Sequence, residues 1–361
     1  MNTQNQGKTE SAIHYPLGEG LPDIGATIEL APGVRWLRMR LPFALDHINL
    51  WLLRDEIDGL AGWTIVDCGI ANDETKASWE KIFTTQLEGL PVLRVLVTHM
   101  HPDHVGLSQW LCEKWKAPLW MSMTDYLTAQ WLSFKEGGAA LGARAGGGGS
   151  ADHFQKHGLT SPEDLEKIRA RSNYYSNMVP GVPRQYRRIM DGENILIGAR
   201  QWQVIMGYGH APEHASLYCK ELGVLISGDM LLPRISTNVS VYDADPDADP
   251  LGLYLDSLER YLPLPENTLV LPSHGKPFFG MKPRIAQLKA HHDERLAETL
   301  GACEKPATAR ELVPVLFKRE LDIHQLTFAM GEAIAHLNYL LRRGKLHRQL
   351  CEDGVLRFSV V

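Results

Sequence analysis

Apolar residues along this chain recur at two periods, and the changes of period mark its elements. Ile24 to Leu30, Val34 to Leu41 and Ile48 to Leu53 read as three strands of an antiparallel meander, with Pro32-Gly33 breaking the first pair. Trp63 to Val66 reads as a fourth strand, and Asn72 as the N-cap of a helix running to about Leu87. Leu93 to Val97 is an apolar, β-branched run of the kind that makes a buried strand. It is followed by helical spacing over Val105 to Trp115 and by a short strand, Pro118 to Met121. In the second half, Trp202 to Met206, Val224 to Ser227 and Thr268 to Leu271 read as strands. Strands alternating with helices predict an α/β fold.

Between these halves the pattern loosens. Gly137-Gly138 and Gly146 to Gly149 flank Leu141 to Ala145, and four consecutive glycines do not hold a helix. Ser161 then caps a helix with Pro162 at its first position, expected to run to about Asn177, followed by Tyr174, Tyr175, Arg184, Tyr186, Arg187 and Arg188. The stretch 134–188 is therefore expected to be a helical insertion, either a lid over a site or a surface excursion or dimer contact. Tyr174 and Tyr175 are read either as substrate contacts or as packing residues.

After Lys276 the periodicity becomes helical. Ile285, Leu288, His292, Leu296 and Leu300 form one stripe, with His291 and His292 read as surface or packing residues. Helices over Thr308 to Phe317 and Thr327 to Arg342 follow. Two short strands, Leu346 to Cys351 and Val355 to Val360, are joined by Glu352-Asp353-Gly354, an Asp-Gly hairpin signal. Three helices and a hairpin predict a winged-helix-like domain. The expected organisation is a flexible tail over 1–20, a main domain over 21–280 containing the insertion, and a small domain over 281–361.

Composition changes this picture little. The chain has 361 residues, is 44% hydrophobic and 22% charged, and carries a net charge of −6. No apolar run is long enough to span a bilayer. Its five cysteines are scattered without a C-x-x-C pair, and no basic-then-apolar leader opens the chain, which predicts a reducing, cytoplasmic setting. Charge is uneven: from Met281 onward 13 Lys and Arg face 10 Asp and Glu, against 24 and 33 before it. Bulk attraction of a polyanion to the main domain is thus disfavoured, and any nucleic-acid contact would fall to the tail, around Arg342, Arg343, Lys345, Arg348 and Arg357.

The chemistry concentrates in Thr98-His99-Met100-His101-Pro102-Asp103-His104, at the carboxyl end of a predicted strand. Open α/β sheets place ligands there. His99 and His101 are two apart, so in extended chain both imidazoles leave one face and supply half of a tetrahedral metal site. Asp103 and His104, past the bend, can serve a second position. The alternative, histidines that only cap a helix, fits three histidines and an aspartate in six positions poorly.

H-x-H-x-D-H after a buried strand resembles the metallo-β-lactamase superfamily. That resemblance implies a four-layer αβ/βα sandwich, here with the helical insertion and the small C-terminal domain. It also implies further ligands at later strand ends: His210 in Gly209-His210-Ala211-Pro212-Glu213-His214, Asp229 after Gly228 as a bridge between two cations, and His274 in Ser273-His274-Gly275. The implied ligand set is His99, His101, Asp103, His104, His210, Asp229 and His274, with Asp103 also a proton acceptor. Asp67 and His214 fall where the family has supporting residues, and Tyr208 beside His210 is a candidate substrate contact. Glu213 stands where the common family form has glycine.

The implied cofactor is two divalent cations, Zn2+ or else iron or manganese, that ionise water for attack on a carbonyl or phosphoryl centre. Aspartate at 229, where the antibiotic-degrading zinc lactamases carry cysteine or serine, argues against penicillin hydrolysis. Histidine at 101, where oxygen-reducing diiron relatives carry glutamate, argues against electron transfer. The implied activity is hydrolysis of a small thioester, ester or lactone. Single-strand endoribonuclease activity through the C-terminal domain is the alternative, and a tail serving for packing or dimerisation, or reading DNA beside a purely structural metal site, is a third reading.

Overall fold

The computed structural model describes residues 12–134, 149–171 and 173–361. The expectations placed on Gly137, Gly138, Leu141 to Ala145 and Gly146 to Gly148 lie outside the described residues. Two compact units divide the chain, and each is treated by itself.

The first unit comprises 1–133, 176–237 and 257–285. Its larger sheet has seven strands in chain order: β1 (Ile28–Ala31), β2 (Val34–Arg40), β3 (His47–Ile57), β4 (Leu60–Val66), β5 (Val92–Leu96), β6 (Leu119–Met121) and β7 (Tyr186–Arg188). The predicted meander is its antiparallel half. It runs further than expected because Asp58-Gly59, both at positive φ, make a tight hairpin between β3 and β4. From β4 onward pairing is parallel, which the crossover helix α1 (Asp73–Thr85) permits. Asn72 caps α1 by accepting the Thr75 N–H at 2.7 Å.

The smaller sheet has the order β12-β11-β10-β9-β8, from β8 (Asn194–Ile197), β9 (Arg200–Gly207), β10 (His214–Cys219), β11 (Val224–Gly228) and β12 (Leu269–Pro272). It too is antiparallel except for its last, parallel pair, β11 and β12. One apolar core joins the sheets face to face: Trp36, Trp51, Val66 and Leu96 from the first meet Ile195, Val204, Leu217 and Ile226 from the second. Short helices follow β5 and β6: α2 (Pro102–Val105), α3 (Ser108–Trp115) and α4 (Met123–Ser133). The helix expected over Val105 to Trp115 is thus broken at Gly106, where an added Cβ would lie 2.5–2.6 Å from the Pro102 and Gly69 carbonyl oxygens.

The second unit comprises 134–175, 238–256 and 286–361. In chain order its elements are α5 (Gly149–Lys156), α6 (Pro162–Arg169) and α8 (Pro250–Glu259), then most of α9 (Met281–Ala302), α10 (Ala309–Leu316), α11 (Ile323–Arg342) and the antiparallel hairpin β13 (Leu346–Leu350) with β14 (Leu356–Val360). α7 (Tyr174–Met178) bridges the division. Thr308 and Asp322 open α10 and α11 with capping boxes. The order of three helices and a hairpin is the one the periodicity predicts.

Three boundaries differ from the sequence reading. Residues 149–171 and 173–175 of the insertion pack within this second unit, where α6 meets α11 and the Arg310 N–H reaches the His157 carbonyl at 3.1 Å, while 176–188 belong to the first. The helix from Pro162 stops at Arg169, and Tyr186–Arg188, placed in the insertion, is instead the edge strand β7 paired with β6. Of the tail expected to be flexible, residues 1–11 lie outside the described residues, and at His14 the chain exchanges backbone hydrogen bonds with Phe279 at 3.0 and 2.8 Å. Among the described residues no helix is long and apolar enough to cross a membrane.

Candidate metal centre

Parallel neighbours end at the same edge of a sheet, and that rule assembles the centre. β4 and β5 lie side by side, so Asp67 and the Thr98–His104 segment emerge together, with the Asp67 N–H bonded to the Leu96 carbonyl at 2.9 Å. β11 and β12 do the same for Asp229 and His274. His210 lies in the connection from β9 to β10. The two sheets are tied at this edge by Ala215 N–H to Thr98 carbonyl (2.8 Å) and Asn49 N–H to Ser273 carbonyl (2.7 Å).

The seven predicted ligands converge as two groups. Donor atoms of His99, His101, His210 and Asp229 lie within 4.8 Å of one another, and so do those of Asp103, His104 and His274. In the first group, His99 Nε2 is 2.9 Å from His101 Nδ1 and 3.2 Å from His210 Nε2. Tetrahedral zinc with ligands at about 2.05 Å needs edges of about 3.3 Å. Asp229 faces both groups: Oδ2 is 3.3 Å from His210 Nε2, and Oδ1 is 3.5 and 3.6 Å from His274 Nε2 and His104 Nε2. Asp103 Oδ2 lies 3.4 Å from His274 Nε2 and 3.6 Å from His104 Nε2.

The residues fit a divalent cation. His104 Nε2 and Asp229 Oδ1 are buried polar atoms without a hydrogen-bond partner, a costly condition that coordination would relieve. Charge points the same way. Burial holds His99 well below the ordinary imidazole range and His101 at about 3, neighbouring imidazoles adding to the effect. In the second group burial opposes charge but is outweighed by opposite charges: His104 sits well above its ordinary value beside Asp67, Asp103 and Asp229, and His274 is raised to about 10 beside Asp229 and Asp103. These histidines take up protons to balance carboxylates, a role a cation would take over.

Supporting contacts fix which nitrogen each imidazole offers. His104 Nδ1 donates to Asp67 Oδ2 at 2.8 Å and His274 Nδ1 to the His47 carbonyl at 2.8 Å, which leaves both Nε2 atoms facing the centre. Asp67 also accepts the Thr98 N–H at 2.8 Å and its hydroxyl at 2.9 Å, and it holds a φ of 63°, a conformation that disfavours most side chains. His214 is buried and accepts the Asp229 N–H on Nε2 at 3.0 Å. Its ring lies where a Cβ on Gly228 would sit 2.2 Å from Nε2, so position 228 admits only glycine.

Tyr208 is half-buried against the inter-sheet core, its N–H on the Ser257 hydroxyl at 2.8 Å. Tyr174 and Tyr175 belong to the second unit, where the Tyr174 ring packs beneath Arg171, 4.1 Å from the guanidinium carbon, and beside His324. His292 is a packing residue there, buried against His336 and Tyr254.

Three residues of the first unit were not singled out by sequence. Thr98 links Asp67 to His99, its hydroxyl 3.0 Å from His99 Nδ1. Asn49 is fully buried in β3, accepts the Trp36 indole N–H at 2.9 Å and donates to the Pro272 and Gly275 carbonyls at 2.8 and 2.9 Å. A polar residue inside the run Ile48 to Leu53 was its signal. Asp125 was announced only by the pattern Ser122-x-x-Asp125 at a helix start.

Comparison with known proteins agrees with this geometry. The family model described as the metallo-beta-lactamase superfamily matches residues 45–274, and one described as metallo-beta-lactamase-like, C-terminal domain matches 296–361. The chain belongs to the metallo-beta-lactamase superfamily. It is similar to a solved beta-lactamase domain protein from Burkholderia ambifaria, at 56% identity and a TM-score of 0.91, covering 98% of this chain and 100% of that one. It is also similar to a solved metallo-beta-lactamase family protein from Thermus thermophilus, at 29% identity and a TM-score of 0.74, covering 92% of this chain and 100% of that one. The probable metallo-hydrolase YqjP of Bacillus subtilis (strain 168) is 25% identical over 318 residues, 84% of this chain and 91% of its own length. With the histidine–aspartate cluster, these likenesses define a metal-dependent hydrolase.

Proposed function

We propose that the protein holds two divalent cations, Zn2+ in the first instance, and hydrolyses a small thioester, ester or lactone. The observation that carries the dinuclear reading is Asp229, whose two carboxylate oxygens face different histidine groups. His99, His101 and His210 would hold one cation, Asp103, His104 and His274 the other, and Asp229 both. Such a pair supplies Lewis acidity toward a carbonyl oxygen and a nucleophilic water at neutral pH. The chain's own part is to keep His99 and His101 neutral by burial, to orient His99, His104 and His274 through Thr98, Asp67 and the His47 carbonyl, and to offer Asp103, in reach of both His104 and His274, as the proton acceptor.

A small carbonyl substrate is favoured over RNA by the fate of the basic tail. Arg343 pairs with Asp249 at 2.7 Å, Arg348 with Asp247 at 2.6 Å and Arg357 with Asp353 at 2.6 Å, and Arg342 donates to the Asp247 carbonyl at 2.6 Å. Four of the five cations on which phosphate contact would rest thus have partners. The test is to assay purified protein on acyl-thioesters, lactones and single-stranded RNA, with and without chelator, beside metal analysis. Chelator-sensitive turnover of a thioester or lactone is expected; cleavage of RNA alone would overturn the substrate class.

A further inference from the structure

Asp125 lies outside the seven ligands, yet both ends of its carboxylate reach loops that carry them. Its Oδ1 accepts the N–H of Met100, the residue between His99 and His101, at 2.8 Å. Its Oδ2 accepts the N–H of Glu213, three residues after His210, at 2.6 Å, and the Ser122 hydroxyl at 3.3 Å. Glu213 answers: its carboxylate accepts the Thr124 N–H at 3.2 Å. The departure from glycine at 213 therefore closes a reciprocal clasp between the His210 loop and the start of α4. Asp125 is fully buried, and burial raises its carboxyl to about 6 against three donated hydrogen bonds, so retaining an acid here costs folding free energy.

Met100 lies between His99 and His101, and Glu213 follows His210, so the contacts of the clasp fall beside ligands of one proposed metal position, while the same segment runs on to Asp103 and His104, and Asp67 reaches His99 through Thr98. The loops of His99, His101 and His210 are tied to Asp125, whereas His104 is tied to Asp67 and His274 to the His47 carbonyl. We infer that Asp125, reinforced by Glu213, is a positioning residue that sets the affinity of the His99–His101–His210 position and not that of its neighbour. The inference rests on the dinuclear reading above.

The test uses full-length apo-protein titrated with Zn2+ against a chromophoric chelator. Wild type is expected to take up two equivalents. Asp125→Asn puts an amide N–H against a backbone N–H, and one equivalent should weaken about 10- to 100-fold, the usual size for a partner of a metal-bound histidine. Glu213→Ala spares the Asp125 bonds and should weaken the same equivalent less. The position is identified by combination: Asp125→Asn should still weaken binding in a His274→Ala background and leave it unchanged in a His210→Ala background. Unfolding midpoints of the zinc-free variants separate this from collapse of the fold, and an Asp125→Glu variant should recover part of the affinity. Two unchanged equivalents in Asp125→Asn, or equal weakening of both, would overturn the inference. Fewer than two equivalents in wild type would overturn the dinuclear reading itself, and the inference with it.

Discussion

Asp67 holds His104 by a 2.8 Å hydrogen bond between two fully buried side chains, and the aspartate does so from a backbone with φ of 63°. The contact decides a tautomer. With Nδ1–H on Asp67, His104 turns Nε2 toward Asp103 and Asp229, the atom it would offer to a cation.

Asp67→Asn is therefore an informative substitution. Asparagine tolerates positive φ, so the fold should survive, but its amide sets a donor against His104 Nδ1–H and drives the proton to Nε2. Metal affinity is expected to fall about 10- to 100-fold, read as metal per chain after dialysis against graded chelator. Undiminished retention would show that the tautomer does not matter here.

Asp229→Ala removes the oxygens that face both groups while keeping the backbone bond to His214. Bound metal should drop well below that of wild type, and hydrolysis by at least about 100-fold, since an electrostatic contact at the reacting centre is worth that much. Full metal occupancy in this variant would refute the bridging assignment.

Asn49→Leu takes the Asn49 bond from the Trp36 indole N–H and the Pro272 carbonyl at the edge where β3 meets the His274 segment, while the Gly275 carbonyl keeps Arg38 at 2.9 Å. Each buried group left unpaired costs about 1–3 kcal/mol. A destabilisation of about 2–4 kcal/mol is expected in denaturant titration, accompanied by weaker metal retention. A shift smaller than about 0.5 kcal/mol, the size of an ordinary surface change, would refute the clamp.

Acid should act on the second unit through its buried histidines. Burial depresses His153 to about 4 and His157 to about 3, Lys156 adding to both and Arg348 to His157, while His292 and His336 sit at about 3 and about 4. The unfolded chain takes up these protons near pH 6.5 and the folded one does not. Stability is thus full above about pH 6.5 and falls as pH drops toward 4, by up to about 1.4 kcal/mol per histidine per pH unit. His157→Phe should make the acid limb of the unfolding midpoint shallower than in wild type. Superimposable limbs would exclude His157 as a contributor.

Much of this was legible because it is local. Apolar alternation located β2, β5, β9, β11 and β12, and the predicted ligands stand just past β5, β9, β11 and β12 because chemistry gathers where a buried strand ends. β8 and β10 were missed. β10 is buried throughout, and its alternation of His214, Ser216 and Tyr218 with Ala215, Leu217 and Cys219 is a strand signal masked because His214 opens it and reads with the ligand segment before it. The Asp125 clasp was missed because its bonds span 25 and 88 residues, and no window along the chain contains both ends.

Residue order by itself settled the α/β class, the strands that carry the chemistry and the His99–His104 cluster, since each is written in spacing within a few positions; His210, Asp229 and His274 were implied by the family resemblance that cluster carries. Tertiary structure alone decided the rest. It set Asp229 with one oxygen toward each histidine group, turned Glu213 back on Thr124, occupied the tail arginines with aspartates, and placed 149–171 and 238–256 in one compact unit with the C-terminal helices. Those outcomes depend on which distant side chains find a buried or charged partner, and that is a property of packing in three dimensions.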